Sequence, residues 1–293
     1  MTIKPLLAYT ITNPQDIRLP AYASIKLDGI RCIVLDGIAY SRTMKPIPNR
    51  HIQATIKHLD RYDGELIIGA PNLNSTYNTS VSGVMSQAGE PDFQFYVFDH
   101  FSDLPFARRL AHIQDNLKPC SVVRVLEQTL VHDHDTLLSF EAQALADSFE
   151  GIMVRSVDGP YKQNRSTARE QILGKLKRFS DSEAVVLGTY EEFENTNEAT
   201  VDALGHTDRS THAEGMVGKG TLGGLYVKDC VTGVEFKLGG GFTAAQRRDF
   251  YRQDLEGKIL TYKFFAVGTM EKPRFPVWKG WRDSIDIITK EGN

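Results

Sequence analysis

The 293-residue chain is poor in cysteine and tryptophan, has no long apolar run and carries no excess of positive charge. Its three cysteines, Cys32, Cys120 and Cys230, are far apart, odd in number and without zinc or redox spacing. That excludes a disulfide framework and points to thiols in a reducing compartment. No stretch approaches the ~20 apolar residues a membrane helix requires, and Met1-Thr2-Ile3-Lys4-Pro5 lacks the apolar core of a secretion signal, so a cytoplasmic protein without a membrane partner is expected. The net charge of −3 excludes a uniformly basic polyanion binder, and any nucleic-acid affinity must come from local clusters. Core material is ample: 41% of residues are hydrophobic and 24% charged, enough for one large domain or two ordinary ones.

Between Ala21 and Phe98, short runs rich in Ile, Val, Phe or Tyr and bounded by Gly, Asp, Asn or Pro read as strands: Ala23–Cys32, Cys32–Leu35, Gly64–Ile68 and Phe93–Phe98. Helical spacing appears at Asn49–Leu59 and Phe140–Phe149, the latter just before a further strand, Gly151–Arg155. A second strand series follows Ser180-Asp181-Ser182: Glu183–Thr189, Thr221–Val227, Val234–Lys237 and Lys258–Phe265, with one helical segment, Ala244–Leu255. The pattern predicts an α+β protein with a first domain at 1–179, sheets flanked by helices, and a second at 180–293, a small Greek-key barrel of the OB type. Glu191–Lys219 reads as a long polar loop, acidic through Glu191, Glu192, Glu194, Glu198 and Asp202 and then bearing Arg209, His212 and Lys219. A solvated insertion and a nucleic-acid-contacting loop both fit it.

The segment richest in chemistry is Lys26-Leu27-Asp28-Gly29-Ile30-Arg31, between the strand-like Ala23-Ser24-Ile25 and Cys32-Ile33-Val34-Leu35. A tight Asp-Gly turn there can aim the lysine amine into a pocket while Arg31 returns to the same side, which suits phosphoryl chemistry. An amine attacks phosphorus only when unprotonated, so desolvation or cationic neighbours, with Lys175 and Lys177 as candidates, must lower its pKa from ~10.4. Alternation places Tyr96 and Phe98 on one side of their strand and Phe95 on the other, and puts Lys175 and Lys177 on one face of theirs.

The ordered set Lys26-x-Asp28-Gly29-x-Arg31, Asp63-Gly64-Glu65-Leu66, Phe95-Tyr96-Val97-Phe98-Asp99, Glu150-Gly151-Ile152-Met153-Val154-Arg155 and Lys175-Leu176-Lys177 resembles the five nucleotidyltransferase motifs of ATP-dependent DNA ligases. The resemblance covers roughly the first 180 residues, and the remainder is similar to the C-terminal barrel of phage-type and minimal bacterial ligases. It implies that Lys26 becomes covalently adenylated by ATP. It further implies that Glu65 binds the ribose or a metal, that Glu150 coordinates Mg²⁺ (or Mn²⁺), that Phe98 stacks on adenine and that Lys175 and Lys177 bracket the α-phosphate. Arg31 and Arg42, the latter in Ser41-Arg42-Thr43, would hold the 5′-phosphate of nicked duplex DNA, with Arg31 also beside the nucleotide.

Two departures from the family pattern stand out. Ser24 replaces a Glu that reads adenine in many relatives, leaving base selectivity to backbone contacts. The C-terminal motif that orients pyrophosphate survives only as Arg282-Asp283, so Arg282 is its nearest equivalent. With 25 residues ahead of Lys26, ATP rather than a nicotinamide dinucleotide is the expected cofactor. The monomer is expected to grip DNA through two cationic stretches, Arg165 to Arg178 and Lys258 to Arg282. A capping guanylyltransferase, an RNA ligase and a non-catalytic binding module are the rival readings; Phe98-Asp99 after an aromatic strand fits a ligase better than a capping enzyme, and nicked RNA against nicked DNA as substrate separates an RNA ligase from a DNA ligase.

Overall fold

The structure is a computed structural model that describes residues 4–73, 75–201, 207–210, 212–265 and 272–282. Met1, Thr2, Ile3, Asp202 and Asp283, invoked above, lie outside the described residues. The chain divides into two compact units, the first Met1–Arg178 with Val201–Thr207 and the second Phe179–Thr200 with Asp208–Asn293.

The first unit runs β1 (Leu6–Leu7), β2 (Tyr9–Thr10), β3 (Ala21–Ile25), β4 (Ile30–Leu35), β5 (Ile38–Ser41), α1 (Arg50–Ile56), β6 (Tyr62–Ile68), α2 (Thr76–Met85), β7 (Phe93–His100), α3 (Phe106–Asn116), β8 (Val123–Val125), β9 (Thr129–Val131), α4 (His134–Ala146), β10 (Ile152–Ser156), β11 (Asn164–Arg165) and β12 (Leu173–Leu176). Two five-stranded sheets result, ordered β2-β12-β10-β3-β9 and β5-β4-β6-β7-β8, with β1 and β11 pairing separately.

Strand alternation gives each sheet two unlike faces. On the second sheet Ile30, Cys32, Val34, Leu66, Phe95 and Val97 enter a core with Ile52 and Ile56 of α1, Val84 of α2 and Ile113 of α3. On the first, Ala21, Ala23, Ile152, Val154 and Leu176 pack with Leu137 and Ala144 of α4. The opposite faces carry the polar motif residues. Helix starts obey local chemistry: the Asn49 side chain accepts from the Ile52 N–H at 2.9 Å and Asp133 from the Thr136 N–H at 2.7 Å.

The second unit contains β13 (Ser180–Asn195), β14 (Ala199–Val201), β15 (Thr207–Arg209), β16 (Met216–Asp229), β17 (Glu235–Leu238), α5 (Ala244–Tyr251), β18 (Ile259–Phe265) and β19 (Arg274–Arg282). Its five-stranded sheet is ordered β17-β16-β13-β18-β19 around Val186, Leu225, Val227, Leu238, Leu260 and Tyr262, the OB-like architecture expected. Thr243 opens α5 with a full capping box to Gln246.

Several expectations are corrected. Glu191–Lys219 is not one long loop: β13 continues to Asn195 and β16 starts at Met216, paired Phe193↔Gly218 and Asn195↔Met216. Exposed ladders need only backbone pairing, so their polar side chains hide them from a composition-based reading. The helix expected at Phe140–Phe149 begins at its Asp133 cap and ends at Ala146. Helices α2 and α3 and strand β19 were not anticipated. Of these, α3 was legible, since Phe106, Leu110 and Ile113 repeat at helical spacing and are buried. Lys177 lies one residue beyond β12 rather than on it.

Behind the polar face, Arg109 is 1% exposed. Its Nε lies 2.6 Å from Asp99 Oδ1, and it also donates to the carbonyls of Leu104 and Gly159. Arg155 donates to the other Asp99 oxygen. Removing one partner of such a network strands a buried charge, so Arg109→Ala should cost about 3–5 kcal/mol in urea unfolding. An unchanged midpoint would contradict this role.

Candidate active site

The polar faces of the two sheets enclose a cavity of about 330 Å³. Ser24, Met153 and Lys175 line it from the first sheet and Arg31, Glu65 and Phe98 from the second, with Lys26 on the turn between β3 and β4.

Two motif glycines make that turn fit. A Cβ on Gly29 would run into the Leu66 carbonyl and the Ile67 side chain, so only glycine lets the turn lie against β6. Gly151 sits at φ +144°, where a side chain would strike the Leu176 carbonyl, and its own carbonyl accepts from the Lys26 N–H at 2.8 Å. Lys26 is thereby fixed beside Glu150.

Lys26 Nζ donates to Glu150 Oε2 and Lys177 Nζ donates to Glu150 Oε1, so one carboxylate holds two ammonium groups. Burial would raise the Glu150 pKa, but Lys26 and Lys177 hold it at about 2. Burial would likewise lower that of Lys26, yet Glu150, with Glu65 and Asp28 behind it, raises it above 10.5. The sequence-based expectation of a depressed Lys26 is therefore corrected for the nucleotide-free protein. The lysine whose pKa is lowered is Lys175, by burial and then by Lys177 and Lys26.

The Glu65 side chain, on the cavity wall, makes no hydrogen bond among the described residues, and burial pushes its carboxyl up to about 7 against the pull of Lys26 and Arg31. Arg31 is committed to a two-pronged pair with Asp63, Nε to Oδ1 at 2.5 Å and an Nη to Oδ2 at 2.6 Å, and Tyr161 donates to the same Asp63 oxygen. Its Cζ lies 4.6 Å from the centre of the Phe98 ring, and that of Arg155 5.3 Å. Phe98 is the extra residue of a β-bulge, because Asp63 pairs with Asp99 while the next residue, Gly64, pairs with Val97. The bulge allows Phe98 to join Leu27, Ile67 and Leu126 while its neighbour Asp99 meets Arg155.

Residues 5–177 match the ATP dependent DNA ligase domain, and residues 215–282 the DNA ligase OB-like domain. The chain belongs to the ATP-dependent DNA ligases. It is an enzyme that seals nicks in DNA at the expense of ATP. Across 233 residues it is 29% identical to a DNA ligase of Haemophilus influenzae, an alignment spanning 75% of this chain and 70% of that one. It is 27% identical over 186 residues to a DNA ligase of African swine fever virus, of which the match covers 42%. Among solved structures, the Chlorella virus DNA ligase-adenylate is 32% identical with a TM-score of 0.55, the match covering 95% of this chain and 99% of that one. A Lig E DNA ligase, described as binding DNA with a minimal scaffold, is 26% identical with a TM-score of 0.73, covering 96% and 100%.

Of the residues picked from sequence, Lys26, Arg31, Arg42, Glu65, Phe98, Lys175 and Lys177 all line the ligase cavity, and Glu150 reaches it through Lys26. Arg282 does not line it: it ends β19 in the second unit, with Nε 2.8 Å from Glu183. Sequence reading gave no role to Asp63 and Asp99, which hold Arg31 and Arg155, nor to Arg155 itself. All three sit inside the quoted motifs, which was the available signal. Arg165 and Tyr77 also line the cavity, one read only as part of a cationic stretch and the other not singled out.

The Glu150 pairings contribute stability that is present above the ordinary carboxylate pKa of 4.5 and is lost as pH falls toward about 2. Glu150→Ala leaves two poorly solvated ammonium groups facing each other. Denaturant unfolding near neutral pH should show a loss on the order of 3 kcal/mol, and wild-type stability would show that the carboxylate does not hold both lysines.

Proposed function

We propose that Lys26 Nζ is the nucleophile of the ligase. It attacks the α-phosphorus of ATP to form a Lys26–AMP phosphoramidate, and the bond to the β-phosphate breaks as pyrophosphate leaves. An oxygen of the nick's 5′-phosphate then attacks the same phosphorus and returns the lysine. The 3′-hydroxyl next attacks the activated 5′-phosphate, giving up its proton, and AMP departs. In-line positioning and charge neutralisation dominate such steps.

The observation that carries this reading is the Lys26–Glu150–Lys177 arrangement at a cavity walled by Glu65, Phe98 and Lys175. Lys26 can attack only after shedding the proton that Glu150 holds on it, and Lys177 already competes for that carboxylate. Lys175, the less firmly protonated lysine, and Lys177 are the groups on hand to meet charge on the α-phosphate. Arg31 and Arg42 are the proposed 5′-phosphate ligands, with Arg31 held in place by Asp63. Phe98, stiffened by the guanidinium groups beside it, is the proposed adenine support.

No three His, Cys, Asp or Glu side chains come together as a metal site among the described residues. The residues fit Mg²⁺ only as a shared ion, held by Glu65, by Glu150 after exchange of an ammonium partner, and by nucleotide phosphates. Bound in this way it would neutralise charge building on the α-phosphate.

We place the adenylation domain at 1–179 and the OB domain at 180–293, with nicked duplex DNA as substrate, a monomeric cytoplasmic enzyme and roles in replication and repair. Several cationic residues assigned to DNA are already ion-paired: Arg178 with Glu141, Lys279 with Asp181 and Arg282 with Glu183. The Lys279 and Arg282 pairs are exposed and weak enough to exchange for phosphate, whereas Glu141 is buried against Arg178, and sealing should weaken as salt rises.

Intact-mass spectrometry after incubation with Mg²⁺ and ATP tests the reading. One AMP should be added to the wild-type chain and none to Lys26→Ala. A GMP adduct formed from GTP instead, or an adduct that survives Lys26→Ala, would overturn it.

A further inference from the structure

Most of the donors of Arg31 are already committed. Its Nε and Nη2 donate to the two oxygens of Asp63 at 2.5 and 2.6 Å, and Nη2 also donates to the Leu6 carbonyl at 3.2 Å. Nη1 makes no hydrogen bond among the described residues. Because Arg31 lines the cavity, Nη1 is the part of the guanidinium left for a phosphate.

Where Nη1 points follows from the plane of the guanidinium. Two parallel N–H to oxygen bonds bring guanidinium and carboxylate into one plane, so Arg31 inherits the orientation of Asp63. An aspartate carboxylate has no sharp torsional preference of its own about its last bond, and partners must set its plane. Asp63 is fully buried, out of reach of bulk water. Its third partner is the Tyr161 hydroxyl, which donates to Oδ2 at 2.5 Å.

Tyr161, in the connection between β10 and β11, is itself firmly held. Its ring is buried with Leu6, Ile33, Leu35 and Leu173, and it meets Phe101 edge to face with ring centres 5.0 Å apart. Burial, and then the Asp63 charge, push its phenol well above the ordinary tyrosine range, so it remains a donor. Leu6, whose carbonyl is the other anchor of Arg31, packs in the same cluster and pairs with Asn164 of β11. The short stretch from Tyr161 to Asn164 therefore supports both contacts that fix the guanidinium.

We propose that Tyr161 is a positioning residue for nick sealing: its hydroxyl sets the plane of Asp63 and so aims Nη1 of Arg31 at the 5′-phosphate. This rests on the assignment of Arg31 to that phosphate made above. Tyr161 is not among the residues lining the cavity and acts only through Asp63 and Arg31. Its hydrogen bond also draws on the carboxylate charge, which leaves more of the Arg31 charge for the phosphate.

Tyr161→Phe removes the hydroxyl and keeps the ring, so it separates positioning from packing. Full-length wild type and variant are first adenylated with ATP and Mg²⁺. With the metal then chelated, binding is measured to nicked duplexes that carry a 5′-phosphate or a 5′-hydroxyl. The wild type should favour the phosphate, and in Tyr161→Phe that preference should fall about 10-fold, the scale of one hydrogen bond to a charged group. When Mg²⁺ is restored, transfer of AMP to the 5′-phosphate, followed on denaturing gels, should slow by about 10- to 100-fold, as expected for a misaimed ligand. Formation of the Lys26 adduct from ATP should change little.

An unchanged preference for the 5′-phosphate would overturn the proposal. So would equal slowing of adduct formation and AMP transfer with the preference intact, which is the signature of a packing residue. A wild type that binds both nicks equally would remove the assignment of Arg31 to the 5′-phosphate, and the proposal with it.

Discussion

A single carboxylate between two ammonium groups sets the terms for the rest of the site. Glu150 draws Lys26 and Lys177 together, holds the Lys26 amine at the cavity and keeps it charged. In the proposed mechanism Lys26 cannot react until the carboxylate is shared differently. In the same mechanism the arrangement stores Lys26 in its inactive protonation state, and what releases it must bring positive charge to Glu150 in place of the Lys26 ammonium. The counter-ion that accompanies a nucleoside triphosphate would bring it.

Everything that positions this carboxylate is a matter of close backbone approach. Gly151 lets the chain after Glu150 pass under Leu176, and its carbonyl pins the Lys26 amide. Gly29 lets the turn after Lys26 lie on β6, so Glu65 and Arg31 face the same space. The sheets contribute a division of labour: one face of each buries apolar side chains under helices, and the other is free to carry Lys, Arg, Asp and Glu. The fully buried carboxylates there are tolerated because they are paired, Asp63 with Arg31 and Asp99 with both Arg109 and Arg155.

The site was largely legible in the sequence because its residues cluster in motifs whose glycines and charges are set by local geometry. The α+β class and the OB-like second unit followed from strand-length runs and turn residues. Legibility failed where the cause is tertiary. The protonated state of Lys26 depends on which carboxylate lands beside it, and Glu150 is more than a hundred residues away in the chain. The bulge at Phe98 is a register event with no signature in Phe95-Tyr96-Val97-Phe98 itself. The β13–β16 ladder is exposed and polar, so its composition reads as loop. Helix α2, rich in Ser, Thr, Asn and Gly, is held by packing and by buried hydroxyls such as that of Ser80, which accepts from the Ile68 N–H, rather than by propensity.

The most direct test of this account is the charge on Lys26 Nζ in the nucleotide-free enzyme, read by ¹⁵N NMR of selectively labelled lysine, assigned with Lys26→Arg and titrated upward from neutral pH. The account predicts an ammonium that persists beyond the ordinary lysine range and titrates lower in Glu150→Gln. A neutral Lys26 amine at neutral pH, or a titration unmoved by the loss of the Glu150 charge, would contradict it.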